Sequence, residues 1–378
     1  MRSCVGSGSV APEVRQVGPP KLSKPSRIRY TPAMVDGSEP TVPSARRGTT
    51  IAFIAEQTGV SVPTVSKVIN GRADVSAATR LRVEAAIRQH GYVRSEGRAR
   101  SSRLIELIFH ELESEWALEL VRGVERVAGQ HQLAVVISEM EGRRTPGRGW
   151  IEGVLARRPA GVIAVFAELS ESVRTQLAAR GIPLVIVDPT GEPLHDTPSI
   201  GATNWNGGLT ATRHLLALGH ERIAVIGGPS GILCSRARVD GFRAAMDAAG
   251  IPIQPELISH GEFDVDEGVE RGRALLQMAH PPTAILTGND LQALGVYQAA
   301  RDLRLHIPED VSVVGFDDLP VARWVGPPLT TIRQPLIEMA VEAAEMVLRI
   351  AAGERVPQTR VELATELIVR DSTAPPKT

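Results

Sequence analysis

Little in this chain is aromatic: Phe, Trp and Tyr make up 3% of its 378 residues, and Cys4 and Cys234 are its only cysteines. Two cysteines cannot build a disulfide framework or a cysteine-based zinc site. No apolar run approaches the roughly 18 residues of a membrane span. Residues 1–33 carry Pro, Ser and Arg where a secretory leader would be apolar, so a cytoplasmic protein is expected. Catalytic signatures are missing as well. His110, His195, His214, His220 and His260 do not fall at metal-ligand spacing with Cys or Asp, and no Gly-x-Ser-x-Gly elbow or Walker-type phosphate loop occurs. Gly227-Gly-Pro-Ser-Gly231 follows an apolar run, but its proline and spacing fit no dinucleotide fingerprint. The expectation is therefore no catalytic residue, no metal and no cofactor. The 35 glycines and 27 prolines exclude a coiled-coil rod and suit short elements joined by tight turns, while 43% hydrophobic content supplies a sizeable core.

A net charge of −1 conceals an uneven distribution. Residues 45–103 hold 11 basic against 4 acidic side chains, residues 1–44 hold 6 against 3, and residues 104–378 hold 25 against 36. A small basic segment beside an acidic body is the footprint of a module that binds a polyanion, although a solvated basic linker would read the same way.

Periodicity divides the chain further. Residues 1–47 have none and contain Gly-Pro-Pro, Ser-Lys-Pro and Val-Pro-Ser, so a disordered extension is expected, with Met34 as an alternative start. Residues 48–93 read as three short helices. Ile51, Ile54, Ala55 and Thr58 share one helical face behind Thr50 as N-cap. Residues 62–69 follow Ser61 and turn Val65, Val68 and Ile69 inward, and a third helix after Ser76 buries Val83, Ala86 and Ile87. Residues 94–103 read as a linker. From 104 to 370, apolar runs at 104–109, 133–137, 161–166, 183–188, 222–227, 283–287 and 311–316 alternate with helical patterns, the signature of a doubly wound parallel α/β fold. So long a stretch predicts two such subdomains with a cleft between them. Residues 371–378 read as a disordered tail.

The first two helices, with their turn at Gly59-Val60-Ser61, have helix-turn-helix spacing. That geometry gives Ser61, Thr64 and Ser66 hydroxyls for phosphate oxygens and points Val62, Pro63 and Lys67 at base edges.

Gly59-Val-Ser-Val-Pro-Thr-Val-Ser-Lys-Val-Ile-Asn70, Val75-Ser-Ala-Ala-Thr-Arg80 and Gly91-Tyr92 resemble the DNA-binding domain of the lactose-repressor (LacI/GalR) family. Downstream, Leu218-Gly-His-Glu-Arg-Ile-Ala-Val-Ile-Gly-Gly228, Arg238-Val-Asp-Gly-Phe242, Gly288-Asn-Asp290, Val313-Val-Gly-Phe-Asp-Asp318 and Pro327-Pro-Leu-Thr-Thr-Ile-Arg-Gln334 resemble its core signatures. The resemblance implies a homodimer, or a higher oligomer, whose core is of the periplasmic sugar-binding type and whose affinity for a palindromic operator is set by a small sugar. It implies DNA contacts from Thr50, Ser61, Val62, Pro63, Thr64, Ser66, Lys67 and Asn70 and from linker residues Arg98, Ala99 and Arg100, in a nucleoid-associated protein. Two departures stand out: Phe53 occupies a position usually held by Asp, and the linker is short and lacks the leucine that relatives wedge into the minor groove. With only Ala99 there, little operator kinking is expected.

For the effector, the resemblance implies Asp188, Arg238, Asn289, Asp317 and Gln334 at strand ends and cleft loops and an aromatic at Trp116, while Trp324, in the loop between Asp317 and Pro327-Pro328, is placed to join Trp116 in covering apolar sugar faces. Any one of these could instead be a strand-end cap, and packing suits Trp150 and Trp205 better. The expected effector is a neutral saccharide, by resemblance a xylo- or cello-oligosaccharide. A transport component of the same core fold and an α/β sugar-modifying enzyme are the competing readings. The helix-turn-helix and the lack of a leader oppose the first, and the lack of a phosphate-cradling loop opposes the second.

Overall fold

A computed structural model describes residues 50–72, 74–92, 102–112, 115–140, 145–191 and 197–377. The expectations for residues 1–47, and for Arg98, Ala99 and Arg100 in the linker, lie outside them.

The chain begins with α1 (Ile51–Thr58), α2 (Val62–Ile69) and α3 (Ala77–His90). Each start is capped by a hydroxyl. Thr50 accepts from the Phe53 amide, Ser61 from Thr64 and Ser76 from Thr79, and left-handed glycines Gly59 and Gly91 end α1 and α3. Ile54, Val65, Val68, Ile69, Val83 and Ile87 close a small core.

The first lobe follows: β1 (Leu104–Phe109), α4 (Glu115–Gln130), β2 (Ala134–Glu139), α5 (Arg148–Arg157), β3 (Gly161–Val165), α6 (Glu171–Ala179), β4 (Leu184–Val187) and β5 (Ser199–Ala202). The chain crosses into a second lobe of α7 (Asn204–Ala217), β6 (Ile223–Gly227), α8 (Leu233–Ala248), β7 (Ile258–His260), α9 (Val265–Leu276), β8 (Ala284–Thr287), α10 (Asp290–Asp302), β9 (Ser312–Asp317) and β10 (Thr330–Arg333). It then returns for α11 (Leu336–Ala352) and β11 (Arg360–Leu363) and crosses again for β12 (Glu366–Ile368). Three crossings thus join the lobes. Each lobe has a six-stranded sheet, ordered β11-β5-β4-β3-β1-β2 and β12-β10-β9-β8-β6-β7, and all pairings are parallel except β10 with β12. Helices cover both faces, which is why the central strands are largely apolar. Polar residues are few there, and Glu106 in β1, fully buried, takes two hydrogen bonds from Arg157 and one from Ser138.

The expected tail is not one. Ser372 is fully buried, donates to the Val313 carbonyl at 2.6 Å and accepts from the Thr330 amide at 2.8 Å, while Thr373 and Ala374 meet His214 and His220. Residues 371–377 therefore extend the second lobe. Their polar composition gave no apolar signal, because backbone and hydroxyl hydrogen bonds hold them.

Candidate functional site

The carboxyl ends of both sheets face a cleft, as expected for open α/β sheets. Phe166, Asp188, Asp317 and Asp318 there have φ of 50°, 50°, 116° and 58°, strained backbone of a kind that gathers at binding sites. A cavity of about 330 Å³ fills the cleft, lined on one side by Phe109, His110, Trp116, Phe166 and Asp188 and on the other by Cys234, Arg238, Phe263, Asn289, Asp317 and Gln334. Of the seven residues expected to contact an effector, six meet there. Trp324 does not: it follows a short 3₁₀ turn and is 74% exposed. Its place in the chain between Asp317 and Pro327 did not determine the direction of its side chain.

Arg238 organises the floor. Nε donates to Asn204 Oδ1 at 2.8 Å, Nη1 donates to the Gly288 carbonyl at 2.5 Å, and the guanidinium lies 3.7 Å from the Phe316 ring centre. Its charge faces Asp317, whose Oδ1 is 3.8 Å from Nη1 and accepts from Gln334 Nε2 at 2.6 Å. Burial pushes the Asp317 carboxyl well up, Arg238 and Gln334 oppose that shift, and Asp188 adds to it. Burial also raises Asp188, against the pull of Arg238, and it raises the Cys234 thiol, which is thereby held as an unreactive neutral group. Gln334 Oε1 is buried with no hydrogen-bond partner among the described residues. Asn289 is differently placed: its Oδ1 caps α10 at the Gln292 amide and its Nδ2 donates to the Phe263 carbonyl, so both ends of the amide shape the loop.

Aromatic rings form the walls. Trp116 and Phe166 meet edge to face with centres 6.4 Å apart, and Phe166 meets Phe263 across the cleft at 6.3 Å. Neither phenylalanine was anticipated. Phe166 had a signal, since it closes the apolar run 161–166, whereas Phe263 lies in a loop with no pattern. Asp188 and Cys234 also separate this cavity from a smaller one of about 230 Å³ that Trp205 lines.

In the helix-turn-helix unit, Ser61, Val62, Pro63 and Lys67 are exposed along one face of α2, with Val62 at 41%. Lys67 Nζ is 2.6 Å from Asp74 Oδ2. Thr50 and Ser61 act as helix caps. Asn70 is half-buried, donates to Ser66 Oγ and accepts from Arg180 on the first lobe.

A helix-turn-helix joined to a two-lobed α/β core, with a polar floor and aromatic walls between the lobes, defines a DNA-binding regulator that answers to a small molecule. Residues 50–95 match the family described as bacterial regulatory proteins, lacI family, and residues 212–373 match the periplasmic binding protein-like domain. The chain is 34% identical over 330 residues to the ribose operon repressor of Escherichia coli (strain K12), covering 85% of this chain and 99% of that protein. Among solved structures it is similar to a transcriptional regulator CelR–cellobiose complex (TM-score 0.66, 31% identity, covering 85% of this chain and 99% of that one). It is also similar to a lac repressor dimer bound to operator and the anti-inducer ONPF (TM-score 0.64, 29% identity, 87% and 100%). This chain belongs to the lacI family of bacterial regulatory proteins, a family of transcription regulators and not of enzymes.

Proposed function

We propose that this protein is a repressor whose hold on operator DNA is released by a neutral saccharide bound between the lobes. The observation that carries this reading is the pairing of the unpartnered Gln334 Oε1 and the Asp188 and Asp317 carboxylates with the Trp116, Phe166 and Phe263 rings. Sugar hydroxyls donate to such acceptors, and the apolar faces of a sugar ring stack on such walls. Two carboxylates beside a single buried arginine oppose a phosphorylated ligand. A cavity of about 330 Å³ stands at the small end of ligand pockets, which run from roughly 300 to 1,000 Å³. It suits a mono- or disaccharide, such as a xylose or glucose dimer, better than a longer chain.

The reading assigns phosphate contacts to Thr50, Ser61, Thr64 and Ser66, base edges to Val62, Pro63 and Lys67, and minor-groove contacts to Arg98, Ala99 and Arg100. Two copies on a palindromic operator supply two reading helices, as in the dimeric lac repressor complex to which the chain is similar. The site of action is the cytoplasm, where the DNA lies, in association with the nucleoid. Effector and DNA are linked reciprocally: a sugar that favours the DNA-incompetent arrangement of the lobes weakens operator binding by the factor by which DNA weakens sugar binding.

A thermal-shift panel of pentoses, hexoses, xylobiose, cellobiose and their phosphates tests this. A neutral sugar at a hundred times its Kd should add about 2.7 kcal/mol, and the same sugar should release the protein from DNA in a gel shift. Stabilisation by a sugar phosphate alone would overturn the reading.

A further inference from the structure

The helix-turn-helix unit is seated on the first lobe of its own chain, and the seat is built from matched groups. Ala179, at the end of α6, is 1% exposed and belongs to the apolar cluster of α1, α2 and α3. Around it, Ser172 Oγ donates to Glu84 Oε1 at 3.0 Å, and Glu84 is itself 3% exposed. Arg88 donates to Thr175 Oγ1 at 3.2 Å and pairs with Glu171 at 3.1 Å. Arg180 donates to Asn70 Oδ1, and Arg148 on α5 donates to the Gly71 carbonyl at 3.4 Å. Gly71 has a φ of 69°, a left-handed turn that calls for glycine.

The seat leaves the reading face open. Ser61, Val62, Pro63 and Lys67 stay exposed with the unit seated, while Asn70, just past the end of α2, is taken up by the contact. A contact that buried the reading face would block DNA, whereas this one fixes the direction in which α2 is presented. Fixing that direction before binding lowers the ordering cost of engaging two half-sites at once. The seat also borders the effector cavity along the chain, since Phe166 in the cavity wall precedes Ser170, the N-cap of α6, by four residues.

We infer that the α6 face of the first lobe is a docking surface for the chain's own helix-turn-helix unit, and that the docked arrangement is the one that binds operator. Ala179, Ser172 and Arg180 are then positioning residues for DNA recognition that touch no DNA. The inference rests on the operator-binding reading above, and its test separates the two.

The first arm places cysteines at Glu84 and Ser172 in the full-length Cys4→Ser chain, with effector and DNA absent. Rapid cross-linking of the two thiols within one chain by a short bismaleimide is expected, since the Glu84 side chain spans the gap to Ser172, and failure to cross-link overturns the docking surface whatever the protein binds. The second arm uses a duplex recovered from random-sequence DNA by the wild-type protein. The cross-linked protein should hold that duplex with wild-type affinity, and loss of binding on cross-linking would show the docked form to be DNA-incompetent. In the third arm, Ala179→Arg should weaken binding about tenfold or more with unchanged saccharide affinity, which also shows that the chain is folded. Ala179→Ser, which fits the same space more closely, should bind as wild type. Equal duplex affinity of Ala179→Arg and wild type would overturn the positioning role, and failure of the wild type to recover any duplex would count against the operator reading alone.

Discussion

The Asp317 carboxylate lies 3.8 Å from the Arg238 guanidinium, and that guanidinium is already committed to Asn204 and the Gly288 carbonyl. The pair therefore has two jobs that substitution can separate. Arg238→Ala removes the one cation that, among the described residues, lowers both buried carboxyls Asp188 and Asp317, as well as the contacts to Phe316 and Asn204. Breaking a buried pair from one side costs roughly 3–5 kcal/mol, so this variant should show a large fall in urea stability along with loss of sugar binding. Asp317→Asn keeps the shape and an acceptor for Gln334. It should lower saccharide affinity by roughly 1.5–3 kcal/mol in calorimetry, with sugar-free operator binding unchanged. Full sugar response in Asp317→Asn would remove Asp317 from the site.

Burial raises the carboxyls of Asp317, Asp188 and Asp290; the charge of Asp317 adds to the rise of Asp290, and that of Asp188 adds to the rise of Asp317. The native state thus keeps protons that the unfolded chain releases near pH 4. The stability these carboxyls contribute is fully present below about pH 4 and is lost as pH rises towards about 7, to which Asp317 is pushed up. Saccharide hydroxyls favour the ionised form, so sugar binding should expel protons and tighten across the same window, by at most about tenfold per pH unit for one proton. Calorimetry in buffers of different ionisation enthalpy measures the release directly, and affinity that is flat from pH 5 to 8 would contradict it.

Lys67 holds Asp74 at 2.6 Å with both side chains about half exposed, so reaching a base requires the lysine to let go. Exposed pairs are weak, and DNA can replace this one. Asp74→Ala should raise affinity for random-sequence DNA and narrow the gap to the selected duplex. Lys67→Ala should cost roughly 1–3 kcal/mol at one base pair in each half-site. A loss spread evenly over all sequences would make Lys67 a phosphate contact.

Residues 372–377 can be tested by truncation. Ending the chain at Asp371 removes Ser372, leaving the Thr330 amide and both backbone groups of Val313 unpaired in the interior. At roughly 1–3 kcal/mol for each buried unsatisfied group, the truncated chain should unfold at clearly lower urea, with the same dependence on denaturant. Wild-type stability would return these residues to the status of a tail.

The sequence by itself determined the local structure. Hydroxyl caps, left-handed glycines and the spacing of Ile54, Val65, Val68, Val83 and Ile87 placed α1 to α3, because those signals act between residues a turn or two apart. Continuous Val and Ile runs placed the strands that are buried on both faces. β5, β7 and β10 to β12 escaped because, unlike the equally short β4 and β8, they carry Ser, His, Thr, Arg or Glu in place of a continuous apolar run. Six of the seven residues that the motif matches marked as effector candidates line one cavity. Only the tertiary structure decided what is made by distant segments: Phe166 against Phe263, the outward turn of Trp324, both ends of the Asn289 amide drawn into the loop, the anchored residues 371–377, and Asn70 held by Arg180. Each of these follows from three crossings between lobes and from the seating of one unit on another. Contacts of that kind pair side chains with no neighbour relation in the chain, and no local pattern encodes which face will be covered.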